Sequence, residues 1–133
     1  MSFQSQIQIH FNEADPAGIA FFGNVFAKIH QCYEDFLQSM GIDLEEWFLS
    51  PKLIAPIRHT EAEYFKPLLP FKNYDVKIKT LSLSESTFRL QFTIERDGEK
   101  HVVISTTHVC CTVKDMKKAP IPESLNMELQ KFL

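Results

Sequence analysis

Four glycines in 133 residues leave no glycine-rich phosphate loop, and with it goes the usual sequence sign of a nicotinamide, flavin or nucleoside-triphosphate enzyme. There is no GxSxG motif, and the cysteines have no motif-defined histidine partner, so no serine or cysteine hydrolase of known pattern is indicated. Cysteine is itself scarce: of the three, Cys110 and Cys111 are adjacent, and neighbours in a strand point to opposite faces, so reduced thiols are expected. The apolar runs are far shorter than a membrane span, and the first residues carry neither a basic leader nor a long hydrophobic stretch. The expectation is a cytoplasmic protein with no membrane partner. Excess positive charge is also missing: a net charge of −3 and a pI near 5.9 argue against a nucleic-acid partner held by broad phosphate neutralisation.

What is present has ordinary globular proportions, 44% hydrophobic and 23% charged, in a length that suits one domain over residues 1–133. Ile7, Ile9 and Phe11 alternate with Gln6, Gln8 and His10, the period of a strand with one buried face. The turn chemistry of Asp15-Pro16-Ala17-Gly18 interrupts it. Over residues 24–40 the period becomes helical: Val25, Phe26, Ile29, Cys32, Tyr33, Phe36, Leu37 and Met40 fall within an arc of roughly 140°. Gly41 stands where a left-handed cap is favoured, Asp43 with Glu46 resembles a capping box for a short helix over 44–49, and Ser50-Pro51 closes it.

Burying those eight side chains is worth on the order of 1.5–3 kcal/mol each before entropy, so the long helix must lie on something broad. Strands predicted over 53–65, 74–83, 87–96 and 101–113 supply that surface. Asp97-Gly98 is a two-residue hairpin signal joining the last two, and the tail ends in a helix over 124–132. The order describes an α+β domain with one apolar helix laid across an antiparallel sheet.

Asp15 is the residue that chemistry singles out, because it sits between a buried-type strand and the start of a buried-type helix. Free N–H groups in a helix's first turn can stabilise a developing oxyanion, so Asp15 can act as nucleophile or general base with donors near Phe22 and Gly23. The bland alternative is that Asp15 caps a turn, the commoner use of Asp before Pro. Glu13 with Asp15 suggests a metal or acid–base pair, but no further acidic or histidine cluster completes it. His30 and Glu34, at i and i+4, lack the HExxH arrangement and a third ligand and read as a surface or interface pair; His10, His59, His101 and His108 read as strand residues.

The run His10-Phe11-Asn12-Glu13-Ala14-Asp15-Pro16-Ala17-Gly18-Ile19-Ala20-Phe21-Phe22-Gly23-Asn24 resembles the signature of the 4-hydroxybenzoyl-CoA thioesterase branch of hot-dog proteins, and the resemblance covers essentially the whole chain. It implies a hot-dog fold, an antiparallel sheet wrapped around one long central helix, and hydrolysis of an acyl-CoA without a metal or other cofactor. It gives Asp15 the family's catalytic carboxylate, and the backbone N–H of Phe22, assisted by Gly23, the carbonyl oxygen. It further implies a homo-oligomer, a dimer or a dimer of dimers, with active sites at subunit interfaces. Glu13 departs from the pattern, since many relatives have a second Asp there. The segments His30-Gln31-Cys32-Tyr33-Glu34, Thr107-His108-Val109-Cys110 and Lys117-Lys118-Ala119-Pro120-Ile121-Pro122 look like the 1,4-dihydroxy-2-naphthoyl-CoA thioesterases of quinone biosynthesis. On that likeness Lys117 and Lys118 hold the coenzyme's phosphates, the alternative being a solvated lysine pair. Phe21, Phe22, Phe26 and Tyr33 lie in or just after the Asp15 loop and are candidates to line an aromatic acyl pocket, while Phe26 and Tyr33 also belong to the apolar arc of the helix, for which core packing is the alternative reading. Other aryl or aliphatic acyl-CoAs, carrier-protein thioesters, and a domain that binds acyl thioesters without turnover are the alternative readings. The histidine–acid setting of hot-dog dehydratases is not found.

Overall fold

The computed structural model describes residues 1–49 and 52–133, so the expected stop at Ser50-Pro51 lies outside the described residues. Five strands form an antiparallel sheet in the order β1-β4-β5-β6-β3, where β1 is Phe3–Gln8, β3 Ile57–Tyr64, β4 Asn73–Leu83, β5 Thr87–Arg96 and β6 Glu99–Val109. The long helix α1 (Phe22–Ser39) and the short helix α2 (Leu44–Leu49) separate β1 from the rest, and α3 (Glu123–Gln130) ends the chain. This is the α+β arrangement expected from the pattern.

On β5, Phe88, Leu90, Phe92 and Ile94 are each at most 1% exposed, while the residues between them face the other side half-buried. They meet Val76 and Ile78 of β4 and Val102 and Ile104 of β6 in one core with Val25, Ile29, Phe36 and Leu37 of α1. Seven of the eight apolar side chains expected on the buried arc of α1 are buried, and Phe26 is half-buried. The helix stops where expected. Gly41 adopts φ +83°, its N–H donates to Gln38 O at 3.0 Å and that of Ile42 to Leu37 O at 3.2 Å, the paired bonds of a left-handed C-cap. At the start of α2, Glu46 N–H donates to Asp43 Oδ1 at 3.1 Å. The hairpin at Asp97-Gly98 is also as expected, with both residues at positive φ and Arg96 paired with Glu99.

Three local expectations are corrected. The first strand stops at Gln8: Ile9 stays buried, but His10 leaves the ladder and Phe11 opens a short 3-10 helix (Phe11–Glu13), 76% exposed. Glu13 causes the change, because its N–H donates to His10 O while its carboxylate accepts the His10 N–H, which bends the backbone out of extension. The segment predicted as one strand over 53–65 is two, β2 (Leu53–Ile54) and β3, parted at Ala55-Pro56, where proline offers no N–H to a ladder. The last strand also divides: Cys110 N–H turns aside to Ser86 O at 2.7 Å, and β7 (Cys111–Thr112) pairs with β2 in a second, two-stranded sheet. Cys32, Cys110 and Cys111 are buried free thiols. No described helix is long and apolar enough to cross a membrane.

Candidate active site

The chain between the 3-10 helix and α1 folds back on itself. Asp15 N–H donates to Ile19 O at 2.8 Å, Gly18 N–H to Asp15 O at 2.9 Å, and Ala14 bridges Ala20 in antiparallel fashion. Gly18 sits at φ +78°, which a residue with a Cβ adopts only with strain. Ala20 N–H reaches across to Leu68 O at 2.8 Å and ties this small hairpin to the connection after β3.

Asp15 stands at its head. One carboxylate oxygen, Oδ1, accepts the Ala17 N–H at 2.9 Å, so the turn-capping use of Asp before Pro is realised; Oδ2 has no partner among the described residues. The side chain also lines a cleft of about 460 Å³ together with Phe22, Ile19, Val25, Tyr64 and Lys66. Phe22 and Gly23 are the first two residues of α1, and no side chain caps that end. Their N–H groups lie ahead of the first intrahelical bonds, in the positive field of the helix start. A half-buried carboxylate and open helix-end donors thus share one cleft, an arrangement able to activate water or attack a carbonyl while holding the oxygen that becomes negative. A Cβ on Gly23 would come within 2.9 Å of the Phe21 ring, so glycine lets that ring lie over the helix start.

The other residues expected at the site are not all brought to it within one chain. Phe21 is 45% exposed and packs on Phe22 with ring centroids 4.8 Å apart. Phe26, one turn along, lines a different cavity of about 350 Å³, between α1 and the β6–β3 side of the sheet, with His30, Tyr33, Thr106 and His108. Lys117 and Lys118 are exposed and follow β7, where Lys118 bridges Cys111. That is the Ile57 end of β3, whereas Asp15 shares its cleft with Tyr64 at the opposite end. Eight residues of strand separate the ends by about 23 Å. His30 and Glu34 form the anticipated exposed pair, at 2.8 Å.

His108 is a strand residue of β6, as expected, and it is enclosed in the core. It is 1% exposed, stacked on Phe88 with rings 5° from parallel, and its Nε2 lies 2.9 Å from the Thr106 hydroxyl. Its Nδ1 faces Ala55 O at 3.4 Å, which assigns the proton to Nδ1 and makes Nε2 the acceptor for the Thr106 O–H. Burial pushes its pKa down to about 4, so the ring is neutral at pH 7. Burial likewise raises the Tyr33 phenol well above its ordinary value.

Sequence reasoning missed Tyr64, Phe65 and Lys66, which read only as the end of a strand and a connection. Their one available signal was the break at Pro67. Lys66 forms an exposed ion pair with Glu99 across the β5–β6 hairpin end and holds that carboxyl below the usual range. It missed Asn24 and Lys28 too, both of which bond to Glu13.

Comparison with known proteins fits this geometry. Residues 9–129 match the family described as the thioesterase-like superfamily. The chain is 34% identical over 121 residues to a 1,4-dihydroxy-2-naphthoyl-CoA hydrolase of Thermosynechococcus vestitus, covering 90% of this chain and 83% of that one. It is 26% identical to the enzyme of the same description from Synechococcus elongatus, covering 96% and 95%. In fold it resembles the crystal structure of a 1,4-dihydroxy-2-naphthoyl-CoA thioesterase from Synechocystis, with a TM-score of 0.90 at 22% identity over 98% of this chain and 96% of that one.

Proposed function

Since this chain belongs to the thioesterase-like superfamily, whose hot-dog fold it has, we propose that it is an acyl-CoA thioester hydrolase and that its substrate is 1,4-dihydroxy-2-naphthoyl-CoA. The observation that carries the chemistry is the cleft lined by both Asp15 and Phe22, the first residue of an α1 whose N-terminus no side chain caps. The thioester carbonyl oxygen rests on the Phe22 N–H, with Gly23 assisting. Asp15 either attacks the carbonyl carbon or takes a proton from an attacking water, and the coenzyme A thiolate departs. As the tetrahedral centre forms, negative charge grows on the carbonyl oxygen, where helix-end donors stabilise it more than they stabilise the ground state. The acyl group follows from the substrates in the relatives' names. With reduced thiols and no membrane-spanning helix in view, we place the reaction in the cytoplasm.

The site requires a second copy of the chain. β3 is an edge strand, paired on one side only, and all but one of its residues are exposed. A twofold axis pairing β3 with its counterpart antiparallel brings the Ile57 end of one chain beside the Tyr64 end of the other. Lys117 and Lys118 of the partner subunit then approach the cleft that holds Asp15, close enough to meet the coenzyme's phosphates.

Free-thiol release from naphthoyl-, benzoyl- and straight-chain acyl-CoAs tests the reading, with kcat/KM highest for the hydroxylated naphthoyl thioester. The Asp15→Ala protein should lose roughly 10²–10⁴-fold in kcat, the range for a positioned acid–base group. Undiminished turnover by folded Asp15→Ala would defeat the mechanism; preference for an aliphatic chain over both aromatic classes would defeat only the substrate.

A further inference from the structure

Glu13 ties together four groups around the candidate site. Its backbone oxygen accepts two bonds, from Phe21 N–H at 2.9 Å and from the Asn24 side-chain amide at 3.0 Å. Its carboxylate oxygen Oε1 accepts two more, from His10 N–H at 2.7 Å and from Lys28 Nζ at 3.2 Å. Four anchors converge on one residue: the residue before the 3-10 helix, the residue before α1, and two positions in the opening turns of α1. The 14–20 hairpin that presents Asp15 hangs between Glu13 and Phe21, so the distance from the Asp15 carboxylate to the Phe22 N–H is set where those two residues meet.

Lys28 is what makes this joint more than a turn. Lysine on the polar side of an amphipathic helix ordinarily extends into water, with its charge solvated. Here the side chain is only 12% exposed and the Glu13 side chain 15%, so the ammonium has been drawn back along the helix onto the loop. A pair this sheltered loses hydration on both partners and adds little net stability, and the best-attested use of such pairs is to specify one geometry.

We infer that Lys28, acting through Glu13, is a positioning residue for thioester hydrolysis: it fixes the Asp15 loop against the N-terminus of α1 without touching substrate. The inference rests on the hydrolase reading above and adds to it two residues outside the Asp15 cleft. Such a residue acts on kcat rather than KM, because a loop displaced by a fraction of an ångström still admits the acyl-CoA but misplaces the carboxylate relative to the oxyanion donors. A 1 Å error at a reacting centre costs about a hundredfold.

The test is a kinetic cycle on the full-length protein with its best acyl-CoA. Lys28→Met should lower kcat about ten- to hundredfold, with KM altered less than about twofold and the circular-dichroism spectrum retained, and Lys28→Arg should recover most of the rate. Lys28→Gln serves as the second variant where Met compromises folding. If Lys28 works through the placement of Asp15, then Asp15→Asn/Lys28→Met is slower than Asp15→Asn by at least about tenfold less than Lys28→Met is slower than wild type. An unchanged kcat in both Lys28 variants overturns the inference, as does full multiplication of the two losses in the double variant. Wild-type turnover by Asp15→Asn would overturn the Asp15 mechanism and this inference together, whereas multiplication with an impaired Asp15→Asn overturns only the role of Lys28.

Discussion

β5 and β3 belong to the same sheet, yet they are opposites in almost every other respect. β5 runs through its centre, paired on both sides, and every second side chain from Phe88 to Ile94 is sealed against α1. β3 runs along an edge, and only Ala62 of its eight residues is even half-buried. A strand buried on one face by its own chain needs a clean apolar alternation. A strand left exposed along its free edge and flank does not, and Ile57-Arg58-His59-Thr60-Glu61-Ala62-Glu63-Tyr64 shows none. The candidate site lies beside the second kind of strand. The fold therefore rests on the strands paired on both sides, and the proposed chemistry lies beside an edge strand paired on one.

The sharpest way to break that contrast is to damage the centre. Phe92→Ala, at a residue 1% exposed between α1 and the middle of the sheet, should destabilise the protein by about 3–5 kcal/mol through lost transfer energy and the cavity left behind. Urea unfolding followed by circular dichroism measures it through the shift in midpoint at constant m-value. A loss below about 1 kcal/mol would mean the centre of β5 is not the keystone its burial suggests.

The same contrast explains what could be read in advance. β5, the Asp97-Gly98 hairpin, the Gly41 cap and the apolar arc of α1 are written in local periods and single turn residues, so their pattern survives without knowledge of neighbours. The alternation from Ile7 continues through Phe11, whereas a competing local bond set around Glu13 ends the strand three residues sooner, at Gln8. The strand ending near Val113 was extended through Cys110 because nothing in the sequence reveals that its N–H is claimed by Ser86. At the site, Asp15 and the helix start were legible as contiguous residues. Tyr64 and Lys66 come from about fifty residues away in sequence, and the Glu13–Lys28 pair joins a loop to a helix face that periodicity marks merely as polar.

His108 lies between the two regions, on the inner face of β6 next to β3, and it gives the contrast a dependence on pH. Burial lowers its pKa from 6.5 to about 4, so between these values the unfolded chain binds a proton that the folded protein refuses. The sign follows: this stabilisation is complete above about pH 6.5 and is lost as pH falls toward 4, amounting in all to about 3 kcal/mol at the order-of-magnitude level. Melting temperature should therefore drop more steeply from pH 6.5 to pH 4 in the natural protein than in His108→Phe, which keeps a ring on Phe88 but cannot titrate. Parallel curves for the two proteins would show that the imidazole becomes charged without penalty, and hence that this part of the core opens to water.

The smallest effect on the stability of the single chain should come from the edge, and it is the most informative about function. Ile57 and Tyr64 stand at the two ends of β3, each 45% exposed, so a carboxylate at either removes little that the chain buries by itself. Ile57→Asp/Tyr64→Asp should alter the unfolding free energy of the isolated chain by no more than about 0.5 kcal/mol per site, as surface substitutions do. In an antiparallel pair of β3 strands, however, the two ends meet across the twofold axis. The four new carboxylates then face each other in two pairs, one at each end of the paired strands, where like charges repel and apolar contact is lost. Sedimentation should show the assembly falling to monomers, and thiol release should fall with it, because the Asp15 cleft loses the partner subunit's Lys117 and Lys118. Lowering the enzyme concentration should deepen the loss and raising it should restore the rate, since association is governed by mass action. A monomeric double variant that keeps its full kcat and KM would place the whole site within one chain. The lysines beyond β7 would then be surface charges, and the exposure of β3 would need a different explanation.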